Sequence, residues 1–168
     1  MYRKAIVKDL DDVMQAADDA REYLKAQGLS QWQDGYPFRD DFIKDINEGY
    51  LYVVLDDNDP NLVAGVCAIT YKEEDYNHLV EGKWLSDLPY IVMHRVAVKK
   101  EYRGKGYGKK LFKLFFERAE IEGYTSLRID TLAENIVMRN LIESFGFIYC
   151  GRVILNPNKL RVVYEKLI

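Results

Sequence analysis

A chain of 168 residues with 48% hydrophobic residues has the size and apolar content of one α/β-sized domain with its own core, read as a single domain over residues 1–168. Its 24 basic and 27 acidic residues give a net charge of −3, the wrong sign for a protein whose main partner is a nucleic-acid backbone. No apolar run approaches the roughly 18 residues of a membrane helix, so no membrane partner is expected. Met1-Tyr2-Arg3-Lys4 opens no stretch of signal-peptide length, which makes the cytoplasm the expected compartment. Cys67 and Cys150 belong to no closely spaced ligand motif, so neither a metal nor a disulfide framework is expected.

In chain order, Arg3 to Val7 reads as a short strand. Asp9 or Asp11 then caps a helix with Leu10, Val13, Met14, Ala17, Ala20 and Leu24 at helical spacing, and Gly28 ends it. A second helix, Asp40 to Glu48, stops at Gly49. Tyr50 to Leu55 and Leu62 to Tyr71 form an antiparallel pair about the turn Asp56-Asp57-Asn58-Asp59-Pro60-Asn61. Lys72 to Leu88 shows little periodicity and reads as a long loop. Tyr90 to Val98 is the strongest strand, the fourth in this reading, and is followed by Lys99 to Gly108 and a helix with Leu111, Phe112, Phe115, Phe116 and Ala119 on one face. A strand at Leu127 to Thr131, a helix at Asn135 to Phe145, and strands at Phe147 to Leu155 and Arg161 to Leu167 complete one mixed α/β domain.

Arg103-Gly104-Lys105-Gly106-Tyr107-Gly108 is the most informative segment. Three alternate glycines after a strand and at the head of a helix leave backbone N–H groups uncovered, and with the helix dipole these bind phosphate. The dinucleotide fingerprint needs glycine where Lys109 stands. A nucleotide P-loop needs glycine where Arg103 stands and a hydroxyl where Lys110 stands. A turn serving only chain geometry is the bland alternative.

These residues resemble the GNAT superfamily of acetyl-CoA-dependent N-acetyltransferases, whose hallmark [RQ]-x-x-G-x-[GA] is matched in full by Arg103 to Gly108. A second segment, Asp130-Thr131-Leu132-Ala133-Glu134-Asn135 with Met138, Leu141 and Phe145-Gly146-Phe147, resembles the family's asparagine-to-GF helix. The resemblance covers essentially the whole chain. It implies a GNAT-like α/β domain whose mixed central sheet is splayed between the fourth and fifth strands, with helices on both faces. It further implies coenzyme A as cosubstrate, held along Val96, Ala97 and Val98 and at the pyrophosphate by Arg103, Gly104, Lys105, Gly106, Tyr107, Gly108 and Lys109, with Asn135 on the pantetheine chain.

Acetyl transfer needs a neutral amine, yet an alkylammonium of pKa about 10.4 is deprotonated only to roughly one part in a few thousand at pH 7. His94 shares the strand parity of Val96 and Val98 and is the expected base, with Asp130, Glu73, Glu74 and Glu81 as competitors. The tyrosine that many relatives use to protonate the thiolate aligns with Ile142, which leaves Tyr149 as the substitute acid or solvent in its place. Cys150 as an acyl carrier has no neighbouring histidine in sequence.

The loops expected to face the acceptor carry Trp32, Tyr36, Trp84 and Tyr90, either a cation–π enclosure or a hydrophobic lid or dimer surface. Lys99 to Lys110 holds six basic side chains against Glu101, a local +5, while Lys72 to Leu88 carries a local −3. A basic turn suits an anionic cofactor and an acidic loop a cationic amine. The expectation is an N-acetyltransferase acting on a primary amine in a ternary complex, with a non-catalytic acyl-CoA sensor as the alternative and a homodimer as an allowed state.

Overall fold

A computed structural model describes residues 1–168. The strands are β1 (Tyr2–Lys4), β2 (Leu51–Leu55), β3 (Val63–Thr70), β4 (Leu79–Gly82), β5 (Tyr90–Val98), β6 (Ser126–Thr131), β7 (Ile148–Leu155) and β8 (Lys159–Leu167). The helices are α1 (Leu10–Ala26), α2 (Arg39–Glu48), α3 (Tyr107–Glu122) and α4 (Ile136–Ser144). Hydrogen bonding joins the strands into one mixed sheet of order β1-β2-β3-β5-β6-β8-β7-β4. By contacts the chain forms two compact units, Met1–Ile69 with Arg95–Leu114, and Thr70–His94 with Phe115–Ile168.

In the first unit, α1 and α2 cover one face of the sheet. Leu10, Val13, Ala16 and Ala17 of α1 and Phe42 of α2 pack with Leu51, Val53 and Leu55 of β2, Val66 and Ala68 of β3, and Ala97 of β5. The period-2 alternation of β2 turns every second residue to these helices. The other face receives the start of α3: a Cβ added at Gly65 would meet Leu111 at 3.5 Å and the Ala97 carbonyl at 3.0 Å, so glycine permits the close approach of β3 and β5. The first strand ends at Lys4, short of the expected Val7, because residues 7–9 turn instead. Asp9 does not cap α1 with its side chain. Its carboxylate accepts the Ile6 N–H at 2.9 Å and two Arg3 N–H bonds at 2.6 and 2.9 Å. The Arg3 hydrogen bonds hold Asp9 below the usual carboxylate range.

In the second unit, Tyr76, Val92, Cys150, Val153 and Val163 form a core, with Leu79, Trp84, Tyr90 and Leu155 packed on it. The segment expected as a long loop is not one. It contains a short helical turn, Glu74–Asn77, and strand β4, which pairs antiparallel with β7. A four-residue strand carrying glycine and glutamate shows no alternation to read; its partner in β7 creates it.

The pairing is tight at Gly82 and Gly151, opposite each other in the register. A Cβ on Gly151, where φ is 139°, would fall 1.9 Å from the Glu81 carbonyl, and one on Gly82, where φ is 81°, would fall 2.0 Å from the Cys150 carbonyl. Gly151→Ala should therefore destabilise the protein by about 2–4 kcal/mol, read as a lower urea midpoint at unchanged m-value.

Parallel pairing of β5 with β6 covers three residue pairs, Tyr90↔Ser126 to Val92↔Arg128. The next residues of β5 lead to Arg95, whose backbone takes a left-handed φ of 53°.

Candidate functional site

The glycine turn follows β5 in the first unit. Gly104 and Gly106 take φ of 72° and 85°, and nothing lies within 4 Å of a Cβ added at either. The N–H groups of Gly104, Gly106, Tyr107, Gly108 and Lys109 make no bond within the chain, at the N-terminus of the sixteen-residue helix α3. Two N–H groups expected in the cradle are already used: Arg103 donates to the Lys100 carbonyl and Lys105 to the Tyr102 carbonyl, both at 3.3 Å. A short helical turn over residues 100–102 consumes them.

The charge of the turn is also partly committed. Lys99 pairs with Asp12 and Lys110 with Asp57. Arg103 donates to the Asp19 carbonyl and lies 4.7 Å over the Tyr23 ring, so its guanidinium faces α1. The buried Asp19 carboxylate accepts the Lys100 N–H at 2.8 Å. Asp12, Asp19 and Tyr23 recur along one stripe of α1, distinct from its apolar stripe, and hold the turn's approach. Sequence reading missed that stripe although its spacing is helical. Tyr107 anchors the turn from the other side, its hydroxyl accepting the Asp57 N–H at 3.1 Å. Lys105 and Lys109 remain exposed.

Beside the turn, Lys99 donates its N–H to the Ala64 carbonyl of β3 at 2.9 Å. Strand alternation therefore turns the backbone groups of Val96 and Val98 away from β3. An exposed anionic phosphate group fits this cradle of open N–H groups, and an extended polar chain fits the backbone groups that β5 turns away from β3.

A titratable cluster occupies the second unit. His94 on β5 and Asp130 on β6 each lie two residues past the pair Val92↔Arg128, with Nδ1 to Oδ2 at 3.8 Å. On the other side of the ring, Nε2 is buried without a well-formed hydrogen bond, and Glu73 Oε2 stands 3.4 Å away. Tyr76 donates its hydroxyl to Asp130 Oδ2 at 2.6 Å. Burial first, and then the Asp130 charge, raises Tyr76 well above its usual range, so it stays a donor. Of the expected competitors, Glu73 and Asp130 reach His94, whereas Glu74 pairs with Lys72 and Glu81 with Arg152. Between His94 and Val96, Arg95 takes a left-handed backbone conformation.

The other expected site residues have structural partners. Asn135 caps α4, its side chain accepting the Met138 N–H at 3.1 Å. Trp32 packs against the first unit's core. Arg95 lies 5.5 Å from the Tyr36 ring and is ion-paired with Asp45 at 2.8 Å. Trp84 and Tyr90 hold Arg128 between them, at 4.0 and 3.9 Å from the ring centroids. The cation on these aromatics is thus the protein's own. Tyr149 is half-exposed on β7, edge-on to Tyr164 at 5.8 Å, and Ile142 is fully buried. Burial pushes both Cys67 and Cys150 up, away from thiolate chemistry.

Arg128 is paired with Glu165, its cross-strand neighbour in β8. Glu165 is fully buried and accepts the Ser126 hydroxyl at 2.6 Å, the Ser86 hydroxyl at 2.8 Å and the Leu85 N–H at 2.6 Å. Burial opposes its charge, but these donors with Arg128 outweigh it and hold the carboxyl below its usual range.

The Acetyltransferase (GNAT) family model matches residues 14–147. The chain belongs to the GNAT acetyltransferase family. A GNAT-family acetyltransferase from Streptococcus agalactiae has the same fold at a TM-score of 0.83 and 33% identity, over 100% of this chain and 95% of that one. The N-acetyltransferase paia from Thermoplasma acidophilum, solved with coenzyme A, shares the fold at a TM-score of 0.75 and 15% identity, over 100% of this GNAT chain and 98% of that chain. N-alpha-acetyltransferase 30 of Saccharomyces cerevisiae is 30% identical over 104 residues, 61% of this chain and 53% of that protein. N-acetylaspartate synthetase of Xenopus tropicalis is 34% identical over 91 residues, 54% of this chain and 29% of that protein. The match thus spans from under a third to about half the length of these two relatives.

Because Glu165 is held low in the folded GNAT chain, its contribution to stability is present above the unfolded glutamate value of about 4.3 and is lost as pH falls through and below it. The urea midpoint should drop on acidification through that window. Glu165→Gln should be less stable at pH 7 and show a shallower acid slope.

Proposed function

We propose that this protein transfers the acetyl group of acetyl-CoA to a primary amine by direct attack in a ternary complex. The observation that carries the reading is the cradle of five unpaired N–H groups at the head of α3, open above Gly104 and Gly106. The cradle and exposed Lys105 and Lys109 would take the pyrophosphate, and the outward backbone groups of Val96 and Val98 would pair with the pantetheine arm. A Val96 N–H would polarise the carbonyl. Asn135 would contribute beside its capping bond. Bound acetyl-CoA supplies the activated acyl group.

The chain's own work is proton transfer. His94 accepts the proton lost by the ammonium, and Glu73 and Asp130, one beside each ring nitrogen, stabilise the imidazolium that forms. Glu73 is the more exposed of the two and returns the proton to solvent. Ile142 offers no acid to the thiolate, which leaves protonation to solvent or Tyr149. The acidic segment Lys72 to Leu88 favours a cationic acceptor. A histidine set between two carboxylates supports turnover over a role limited to binding.

Gly106→Glu brings a carboxylate to the cradle, where an added Cβ meets nothing within 4 Å although the φ of 85° strains any L side chain. It should raise the calorimetric Kd for coenzyme A at least tenfold, about 1.4 kcal/mol or more. Unchanged affinity would overturn the cradle assignment. Thiol release from acetyl-CoA against a panel of amines should show acceptor-dependent turnover, and His94→Gln should lower it by about 10²-fold or more with coenzyme A affinity unchanged.

A further inference from the structure

Arg128 touches neither His94 nor its carboxylates, yet a continuous set of contacts in the second unit joins them. Its guanidinium lies between the Trp84 and Tyr90 rings. Each ring uses its polar atom on the short turn that carries the site's acidic residue: Trp84 Nε1 donates to the Tyr76 carbonyl at 2.8 Å, and the Tyr90 hydroxyl donates to the Glu73 carbonyl at 3.2 Å. The carbonyls at both ends of the Glu73-to-Tyr76 turn are therefore hydrogen-bonded by the two rings that Arg128 contacts. That turn in turn delivers Glu73 to His94 Nε2 and the Tyr76 hydroxyl to Asp130. The Tyr76 ring lies against both clamp rings, with centroids 5.1 Å from Trp84 and 6.3 Å from Tyr90.

We propose that Arg128, acting through Trp84 and Tyr90, is a positioning residue that sets the placement of Glu73 and Asp130 about His94. The proposal rests on the reading of His94 as the proton acceptor. Its physical basis is that planar stacking on two rings fixes a guanidinium more narrowly than an ammonium can be fixed, while Glu165 locks the same group from its edge. The base is then oriented by rigid aromatic side chains and two backbone carbonyls, so the turn needs no regular strand to hold it.

Deleting the Arg128 guanidinium would strand the buried Glu165 charge and threaten folding, so the deciding variants are Tyr90→Phe and Trp84→Phe. Each keeps a ring on Arg128 and removes one hydrogen bond to the turn. The chain has only two histidines, His78 and His94, so the imidazole nitrogen resonances are assigned with His94→Gln. The expected result is that the His94 signals move by several parts per million in both variants while calorimetric coenzyme A affinity stays within twofold. With any amine that the wild type acetylates, kcat/KM should fall roughly tenfold, part of the ~10²–10⁴ a general base supplies. Arg128→Lys should show the same displaced His94 signals. His94 signals identical to wild type in both phenylalanine variants would overturn the proposal. Absence of thiol release by the wild type with every amine would instead sink the acetyl-transfer reading, and the resonances would still decide the positioning role.

Discussion

A β-strand carries two rows of backbone donors and acceptors, and β5 satisfies them with neighbouring strands over only part of its length. It pairs with β6 from Tyr90 to Val92, and beyond Arg95 its approach to β3 is marked by the Lys99 bond to Ala64. Unpaired backbone polar groups are costly unless something else takes them. The groups of Val96 and Val98 that face away from β3 and the unpaired N–H groups at the start of α3 are in the same position, and the proposed cosubstrate, with an extended amide-containing arm and a pyrophosphate, would meet both needs. The GNAT chain thus keeps incomplete hydrogen bonding where its ligand is expected. It also places a left-handed arginine just past the stretch that pairs with β6.

The second unit solves a different problem, the placing of carboxylates beside an imidazole without a long regular element to carry them. Glu73 lies outside any strand, on a turn before β4. Its anchor is the Arg128 and Glu165 pair, which costs desolvation but is fully furnished with donors. Removing either partner of a buried pair of this kind is costly, because it leaves the other charge buried and uncompensated. The rings of Trp84 and Tyr90 link that pair to the turn through their single polar atoms.

Much of this was legible before any coordinates. The helices α1 to α4 were readable from apolar spacing and glycine stops, and the cradle from Gly104, Gly106 and Gly108 at the end of a strand. Strand β4 was not, because Leu-Val-Glu-Gly has no alternation until β7 pairs with it. The commitments of Arg103, Lys99 and Lys110 to α1 and the β2–β3 turn were equally hidden, so the local +5 overstated the charge available to a phosphate. The Trp84, Tyr90 and Arg128 sandwich brings together residues up to 44 positions apart in sequence, and nothing local to any of them announces it.

Taken by itself, the amino-acid order determined the elements with strong periodicity, the glycine turn at the head of α3 and the candidacy of His94, because each rests on residues close together in the chain. Which carboxylates reach His94, which cations remain exposed, and what the aromatic residues hold were decided only by the tertiary structure. Those properties are distances between residues far apart in sequence, and distance is settled by strand register and packing rather than by composition.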